Sequence, residues 1–241
     1  MITLRQNLVA EFIGTMFLVT AAIGSTILSF NVFGANLALA VFMNAVAVTL
    51  VLFALIETFG SISGAHFNPA VTFALLLNKE ILPKKAAMYM AVQFLGGFVG
   101  LLITHIMFYD TQPDLLVISS NTKTIFQGFS EVICTFILVG VIFGCVKGGS
   151  KHTGLSVAFM VGGMLITSVS TMFANPVVTF CRMFTYAICG IAPASGILYI
   201  IAEFVGAALA VAVFAKVLFP AKLKEKCDPF ECPVKPIEIK M

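Results

Sequence analysis

The chain has 241 residues, of which 60% are apolar and only 10% are charged. Together with a mean hydropathy of +1.06, this composition excludes a water-soluble globular protein and is typical of an integral membrane protein. The formal net charge is +3, but the basic residues follow the predicted membrane topology, so the charge does not indicate binding to nucleic acid.

Six apolar stretches are long enough to cross a bilayer as helices. In chain order they are Asn7–Leu28, Ala35–Phe59, Ala86–Met107, Phe126–Val146, Leu155–Val169 and Ser195–Phe219. An even number of crossings puts both termini on one side, and all of the 14 Lys and Arg residues except Lys123 and Arg182 fall on that side. The excess of positive charge therefore predicts that both termini are cytoplasmic.

Two shorter apolar segments carry the same motif. The segments are Ser61–Phe73 (SISGAHFNPAVTF) and Ser168–Phe180 (SVSTMFANPVVTF), which share Ser, Ser, Asn, Pro, Val, Thr and Phe without a gap. In each, Asn followed by Pro predicts a helix with Asn as the N-cap and Pro at the first helical position. The predicted helices, Asn68–Leu77 and Asn175–Phe184, would each be about 15 Å long, roughly half of the ~30 Å hydrocarbon core. We therefore expect two half-helices that meet at the membrane midplane.

Other sequence elements repeat in the same order. Glu11 in AEFIGTMFLV matches Glu131 in SEVICTFILV, and Gln93 in QFLG matches Glu203 in EFVG. Each half therefore contains two spans, a half-helix and a third span. Because three spans separate equivalent positions, the two halves insert into the membrane from opposite sides, which is an inverted repeat.

The predicted fold class is an all-α membrane protein with six transmembrane helices and two re-entrant half-helices. We expect one channel-like domain at residues 1–220, with inverted repeats at about 1–115 and 124–220. Residues 221–241 are polar and contain proline, which predicts a cytoplasmic tail. Cys227 and Cys232 lie in this tail and are expected to be free thiols, with chelation of a soft metal or trivalent arsenic as the alternative.

The paired Asn residues have a physical consequence for the lumen. An N-cap Asn uses its side-chain oxygen on its own helix, which leaves the amide hydrogens of Asn68 and Asn175 free to point into the lumen. Two helix N-termini that meet also repel cations. Irregular backbone at membrane depth is tolerated where it lines a cavity. The residues whose carbonyl groups are predicted to line the lumen are Gly64, Ala65, His66, Thr171, Met172 and Phe173.

The motifs Asn68-Pro69-Ala70 and Asn175-Pro176-Val177, placed in half-helices of an inverted repeat, resemble those of the aquaporin family. The resemblance extends from Leu8 to about Pro220. It implies the aquaporin fold and a homotetramer with one pore in each subunit. It also implies that Glu11 and Glu131 accept hydrogen bonds from the re-entrant loops, with a proton relay as the alternative.

The resemblance places the family's outer selectivity filter on Val48, Gly163, Met172 and Val178. Most aquaporins have Arg where Val178 stands, and none of these four residues is charged or aromatic. They predict a wide, weakly polar opening, similar to that of atypical bacterial aquaporins associated with arsenite passage. Local misalignment is the alternative, above all for Val48 and Gly163.

Arg182 lies four residues beyond Val178 and so one turn outward on the same helix face. The side chain is a candidate donor at the outer mouth of the pore. The alternatives are that Arg182 extends to the outer membrane interface or pairs with Asp110 or Asp114.

These features predict a passive channel for small uncharged solutes, such as arsenous acid and glycerol-like molecules, and for water. The alternatives are a channel that conducts mainly water and a non-conducting structural member of the family. The sequence contains neither a convergent nucleophile, acid and base nor a metal-ligand pattern, so an enzyme, a metal site and a cofactor are not expected. The expected partners are membrane lipid and the solutes, and the expected location is a bacterial inner membrane.

Overall fold

The structure, a computed structural model, describes residues 2–220, and this part of the chain is helical with no strand. In chain order the helices are α1 (Leu4–Thr26), α2 (Leu37–Ser63), α3 (Pro69–Leu77), α4 (Pro83–Met107), α5 (Ile125–Lys147), α6 (Thr153–Thr167), α7 (Pro176–Arg182) and α8 (Pro193–Ala210). Helix α1 continues in π-helical turns at Ile27–Val32, and α8 continues in the same way at Val211–Leu218. The predicted cytoplasmic tail, residues 221–241, lies outside the described residues.

Five of the helices in residues 2–220 are long and apolar enough to cross a membrane: α1, α2, α4, α5 and α8. The remaining predicted crossing, α6, is apolar but has only 15 residues. At ~1.5 Å per residue it is about 22 Å long, which is less than the ~30 Å hydrocarbon core. The predicted fold class is confirmed, and the protein is an integral membrane protein with several crossings.

The two half-helices begin as predicted. Helix α3 has 9 residues and α7 has 7, and each starts with Pro after an Asn N-cap. The two Asn residues have almost the same backbone conformation, with φ of −154° in both and ψ of 118° at Asn68 and 109° at Asn175. Helix α7 ends at Arg182, two residues earlier than predicted.

Both halves of the chain also begin in the same way. The side chain of Thr3 caps α1 and that of Thr124 caps α5. In both cases a Gln three residues later bonds back to the backbone of the Thr, which forms a capping box. The repeated start is consistent with a second repeat that begins near residue 124, although the exact division of the chain stays a prediction.

Within each half, a glycine allows the first and last spanning helices to approach closely. A Cβ atom on Gly96 would lie 2.3 Å from the Phe12 carbonyl oxygen, so α4 can contact α1 only without a side chain there. Gly206, at the equivalent position of the second half, would bring a Cβ atom to 2.4 Å from the Val132 carbonyl oxygen, between α8 and α5. Helices α2 and α6 pack against each other and join the two halves. The half-helices α3 and α7 meet between the halves.

Candidate functional site

Each half-helix is capped by its own Asn side chain. Asn68 Oδ1 accepts a hydrogen bond from Ala70 N at 2.8 Å, and Asn175 Oδ1 accepts one from Val177 N at 3.1 Å. Pro at the first helical position leaves no N–H there to satisfy, so the Asn oxygen serves the next residue. The side-chain amide nitrogens are therefore left for other partners.

The amide nitrogens join the two loops reciprocally. Asn68 Nδ2 donates to Ala174 O at 2.7 Å, and Asn175 Nδ2 donates to Phe67 O at 2.9 Å. Each amide has two hydrogens, so one is taken by the opposite loop and only the second remains for a solute, rather than both as expected from the sequence. Asn68 and Asn175 both line the same central cavity.

The loops that lead into the half-helices have left-handed backbone at equivalent positions. The residue immediately before each Asn has positive φ, with 48° at Phe67 and 45° at Ala174, and so does the residue three positions before, with 51° at Ala65 and 36° at Met172. In residues 2–220, no donor bonds to the carbonyl oxygens of the six predicted lining residues, Gly64, Ala65, His66, Thr171, Met172 and Phe173. Such strained backbone is kept where its polar groups serve a cavity.

Two fully buried carboxylates hold the loops from behind. Glu11 accepts hydrogen bonds from His66 N at 2.9 Å and Phe67 N at 2.7 Å. Glu131 does the same in the second half, from Phe173 N at 3.0 Å and Ala174 N at 2.6 Å. Backbone N–H groups that face away from the lumen are thereby satisfied, so the carbonyl groups can face it.

The central cavity has an apolar wall opposite the loops. Its volume is about 70 Å³, which corresponds to about two water molecules at the ~30 Å³ that each occupies in the liquid. Helices α2 and α6 each contribute a row of side chains at four-residue spacing, which are Val48, Leu52 and Ile56, and Val157, Val161 and Leu165. Asn68, Asn175, His66 and Arg182 contribute the polar side chains of the lining. The lumen is therefore apolar on one side and able to form hydrogen bonds on the other.

The structure corrects one residue of the predicted filter. Val48, Met172 and Val178 line the cavity, but Gly163 does not. A Cβ atom on Gly163 would have no neighbour within 4 Å, because the glycine lies on the face of α6 that points away from the lumen. It is two residues from Leu165, or ~200° around the helix. Leu165 therefore occupies the lumen wall near the outer end of α6, and the opening is narrower than Gly163 would make it.

Arg182 is the charged side chain of the lumen wall. It is only 2% exposed, and its guanidinium carbon lies 4.1 Å from the centroid of the Phe173 ring. Arg182 Nη2 donates to Ala22 O at 3.1 Å, whereas Nε has no protein partner among the described residues. The one ion pair in residues 2–220 joins Lys147 and Glu80, so Arg182 is not paired with Asp110 or Asp114 and does not extend to the membrane interface.

A second cationic residue, Lys123, lies near Arg182. Lys123 belongs to the segment between α4 and α5, and its backbone N–H donates to Ser195 Oγ at 2.8 Å. Burial lowers the pKa of the Lys123 ammonium group, and the positive charge of Arg182 lowers it further. Lys123 and Arg182 are therefore close enough for their positive charges to interact.

Several residues of the site were not predicted from the sequence. The ring of Phe173 stacks on Arg182, although only its carbonyl group was proposed as lining. His66 Nδ1 lies 3.0 Å from Thr72 Oγ1, and Thr179, the equivalent of Thr72, bonds to Glu203. The repeated Asn-Pro-x-Val-Thr pattern is the sequence signal that could have identified both threonines.

The fold and the site define a membrane channel with a narrow lumen between two re-entrant half-helices. The model of the major intrinsic protein family matches residues 1–171. Aquaglyceroporin AqpS of Rhizobium meliloti (strain 1021) is 34% identical over 220 residues, which cover 91% of this chain and 93% of that protein. Probable aquaporin TIP3-2 of Arabidopsis thaliana is 27% identical over 88% of this chain and 83% of that protein.

A solved structure shows the same fold. The X-ray structure of the aquaglyceroporin from Plasmodium falciparum has a TM-score of 0.70 with this chain, at 22% identity, and the match covers 90% of this chain and 97% of that chain. The chain therefore belongs to the major intrinsic protein family. Members of this family are channels, so the protein is a channel and not an enzyme.

Proposed function

We propose that the protein is a passive channel for small uncharged solutes that present hydroxyl groups, such as glycerol and arsenous acid, and for water. The observation that carries the proposal is the two-sided lumen. Its apolar wall faces a polar side made of Asn68, Asn175, the loop carbonyl groups and the Nε of Arg182; neither these carbonyl groups nor this Nε has a hydrogen-bond partner within residues 2–220. The similarity to Aquaglyceroporin AqpS supports the same solute class.

A two-sided lumen suits a two-sided solute. A polyol presents C–H groups on one edge and hydroxyl groups on the other, so the C–H edge can lie against Val48 and Leu165 while the hydroxyl groups exchange hydrogen bonds with the loops. Arsenous acid is uncharged at neutral pH and also presents hydroxyl groups. The same donors and acceptors therefore serve both solutes.

Conduction of mainly water is the second candidate function, and one observation favours it. Leu165 stands in the lumen wall where the sequence predicted Gly163. A bulkier side chain at this level narrows the path and hinders a polyol more than a water molecule.

Cations are excluded at two levels in this proposal. At the midplane, the remaining amide hydrogens of Asn68 and Asn175 and the N-termini of the half-helices offer only positive partial charge to an ion. Further out, Arg182 adds a full positive charge in an apolar wall, where a cation also loses its hydration. Val48, Leu165, Met172 and Val178 form the apolar part of the proposed filter around it.

The proposal includes the assembly and the topology. We expect a homotetramer with one pore in each subunit, embedded in a bacterial inner membrane with both termini in the cytoplasm. The family resemblance supports the tetramer, and the distribution of Lys and Arg along the sequence supports the topology.

Arg182 provides the test of the filter. We expect Arg182→Ala in proteoliposomes to give lower saturable uptake of glycerol or a new potassium leak, because the buried donor and its charge are both removed. Arg182→Lys is the matched control, since it keeps the charge but loses the planar group that stacks on Phe173. Cation exclusion that is kept in the Lys variant but lost in the Ala variant would assign exclusion to the charge. Unchanged solute flux and unchanged conductance in Arg182→Ala would refute a role for Arg182.

A further inference from the structure

Glu203 occupies the position in the second half that Gln93 occupies in the first. In the first half, Gln93 Nε2 donates to Glu11 Oε2 at 2.8 Å and to Thr72 Oγ1 at 3.1 Å. A single amide donor thus connects the carboxylate that holds the first loop with a threonine of α3. The first loop is positioned by this link because Glu11 in turn accepts the loop N–H groups.

The second half has a carboxyl group where that amide would be. Glu203 is fully buried, and Thr179 Oγ1 donates to its Oε1 at 2.6 Å. The backbone N–H of Asn175 also faces this carboxyl group, but no donor among the described residues lies within bonding distance of the other oxygen, Oε2. An ionised carboxylate can only accept hydrogen bonds, so it could not replace the donor that Gln93 provides.

The surroundings disfavour a second negative charge. Glu131 on α5 is also fully buried, and both of its oxygens accept a hydrogen bond from a loop N–H group, as in Glu11. The ionisable groups within electrostatic range of Glu203 are Glu131, Arg182 on α7 and Tyr199 on α8 itself. Arg182 is the only cation among them, and a second buried carboxylate next to Glu131 would be left without a donor on Oε2, which is costly.

We propose that Glu203 is a positioning residue that works as a neutral carboxylic acid, with a proton on Oε2. In this form its O–H group donates to Glu131, as the side-chain amide of Gln93 donates to Glu11 in the first half. Glu203 thereby holds Glu131 and Thr179 in place, and through Glu131 it holds the loop from Phe173 to Asn175. Loss of the proton at alkaline pH removes the donor and adds a repelling charge, so we expect the loop to loosen and solute flux to fall.

Infrared spectroscopy of the purified full chain in lipid tests the protonation directly and does not depend on which solute the pore conducts. We expect wild type at neutral pH to show the C=O band of a protonated carboxylic acid, shifted by deuterium exchange, and Glu203→Gln to lack it. Gln93→Glu is the matched control, because it places a carboxyl group at the equivalent position and should add a band. Absence of the band in wild type, or its persistence in Glu203→Gln, would overturn the proposal.

Flux measurements test the positioning role, which rests on the proposed pore. In proteoliposomes, Glu203→Gln should retain solute flux at neutral pH and abolish the alkaline decrease, because an amide donates without titrating. Glu203→Leu should lose flux at every pH, since it offers no donor. An alkaline decrease that persists in Glu203→Gln, or equal losses in the Gln and Leu variants, would refute the positioning role. If wild type carries no solute flux but shows the infrared band, the proposed solutes fail while the protonated Glu203 stands.

Discussion

Replacing Gly163 with Leu should leave the pore open. A filter that contained Gly163, as the family resemblance predicted, would instead be blocked by this change. Gly163 lies on the outer face of α6, and a Cβ atom there would meet nothing within 4 Å. We therefore expect Gly163→Leu to change neither water flux nor glycerol flux. Since Gly is about 0.8 kcal/mol less favourable than Leu in a helix interior, the variant should be as stable as wild type or slightly more stable.

Shortening Leu165 is the matched perturbation on the lumen side. Leu165 is 2% exposed and lines the cavity. Leu165→Ala removes three carbon atoms, which at ~0.8 kcal/mol for each buried carbon predicts a loss of about 2 kcal/mol in the free energy of unfolding. A larger cost of up to about 5 kcal/mol is typical of closed cores, but here the vacated space joins the existing central cavity. The same change widens the lumen, so glycerol flux should rise more than water flux.

Stopped-flow light scattering of proteoliposomes, with equal amounts of each variant inserted, measures both fluxes. Unchanged flux in Gly163→Leu together with a higher ratio of glycerol to water flux in Leu165→Ala would support the lumen described above. A block of both fluxes by Gly163→Leu would show that position 163 faces the lumen and would refute the orientation of α6.

Three further variants test other parts of the structure. Val178→Arg should reduce glycerol flux more than water flux, because it places a second long cation in the lumen one turn from Arg182; equal losses of both fluxes would argue against a filter at Val178. Asn68→Asp keeps the cap acceptor but replaces the amide donor with a negative charge, so potassium flux across proteoliposomes should appear, and continued exclusion of potassium would assign the barrier elsewhere. Gly96→Ala should lower the free energy of unfolding by about 3 kcal/mol, because its Cβ atom would lie 2.3 Å from a carbonyl oxygen of α1, whereas Gly60→Ala, with nothing within 4 Å, should not. Equal thermal stability of these two glycine variants in detergent would contradict the packing of α1 on α4.

Local rules were sufficient for the helices and the half-helix caps. Asn followed by Pro has one favourable local structure at the start of an apolar helix, and both caps form at Asn68 and Asn175. The family resemblance, rather than a local rule, predicted the side chains that hold the loops, and Glu11 and Glu131 do accept loop N–H groups. Local rules could not predict the hydrogen bonds between the halves, because each Asn can donate to the opposite loop only when both loops are in place.

The orientation of α6 could not be predicted for a different reason. The central part of α6, residues 157–166, is apolar on every face, so no polar side distinguishes the lumen from the lipid there. Counting residues back from Asn175 placed Gly163 in the filter, which assumes that the loop before Asn175 follows the same path as in other family members. Gly163 and Leu165 are two positions apart, so their side-chain positions lie on opposite faces of the helix. The structure was needed to show that Leu165 is the side chain in the lumen.

Arg182 was open to three interpretations in the sequence: a donor at the pore mouth, an arginine at the membrane interface, or a partner of Asp110 or Asp114. Packing distinguishes them. The spacing from Val178 placed the residue on the lumen face of α7, while its position near the helix end also suited an arginine at the membrane interface. The contacts with Phe173 and with Ala22 O bury the guanidinium group in the lumen wall. Neither contact leaves a signal in the sequence, because one partner lies on the second loop and the other on α1.

The most direct test of the central claim compares glycerol, water and potassium in the same proteoliposomes that contain the wild-type protein. A passive channel with the lumen described above predicts glycerol and water fluxes above those of protein-free liposomes, with no potassium conductance. Water flux without glycerol flux, or any flux that is accompanied by a potassium leak, would contradict it.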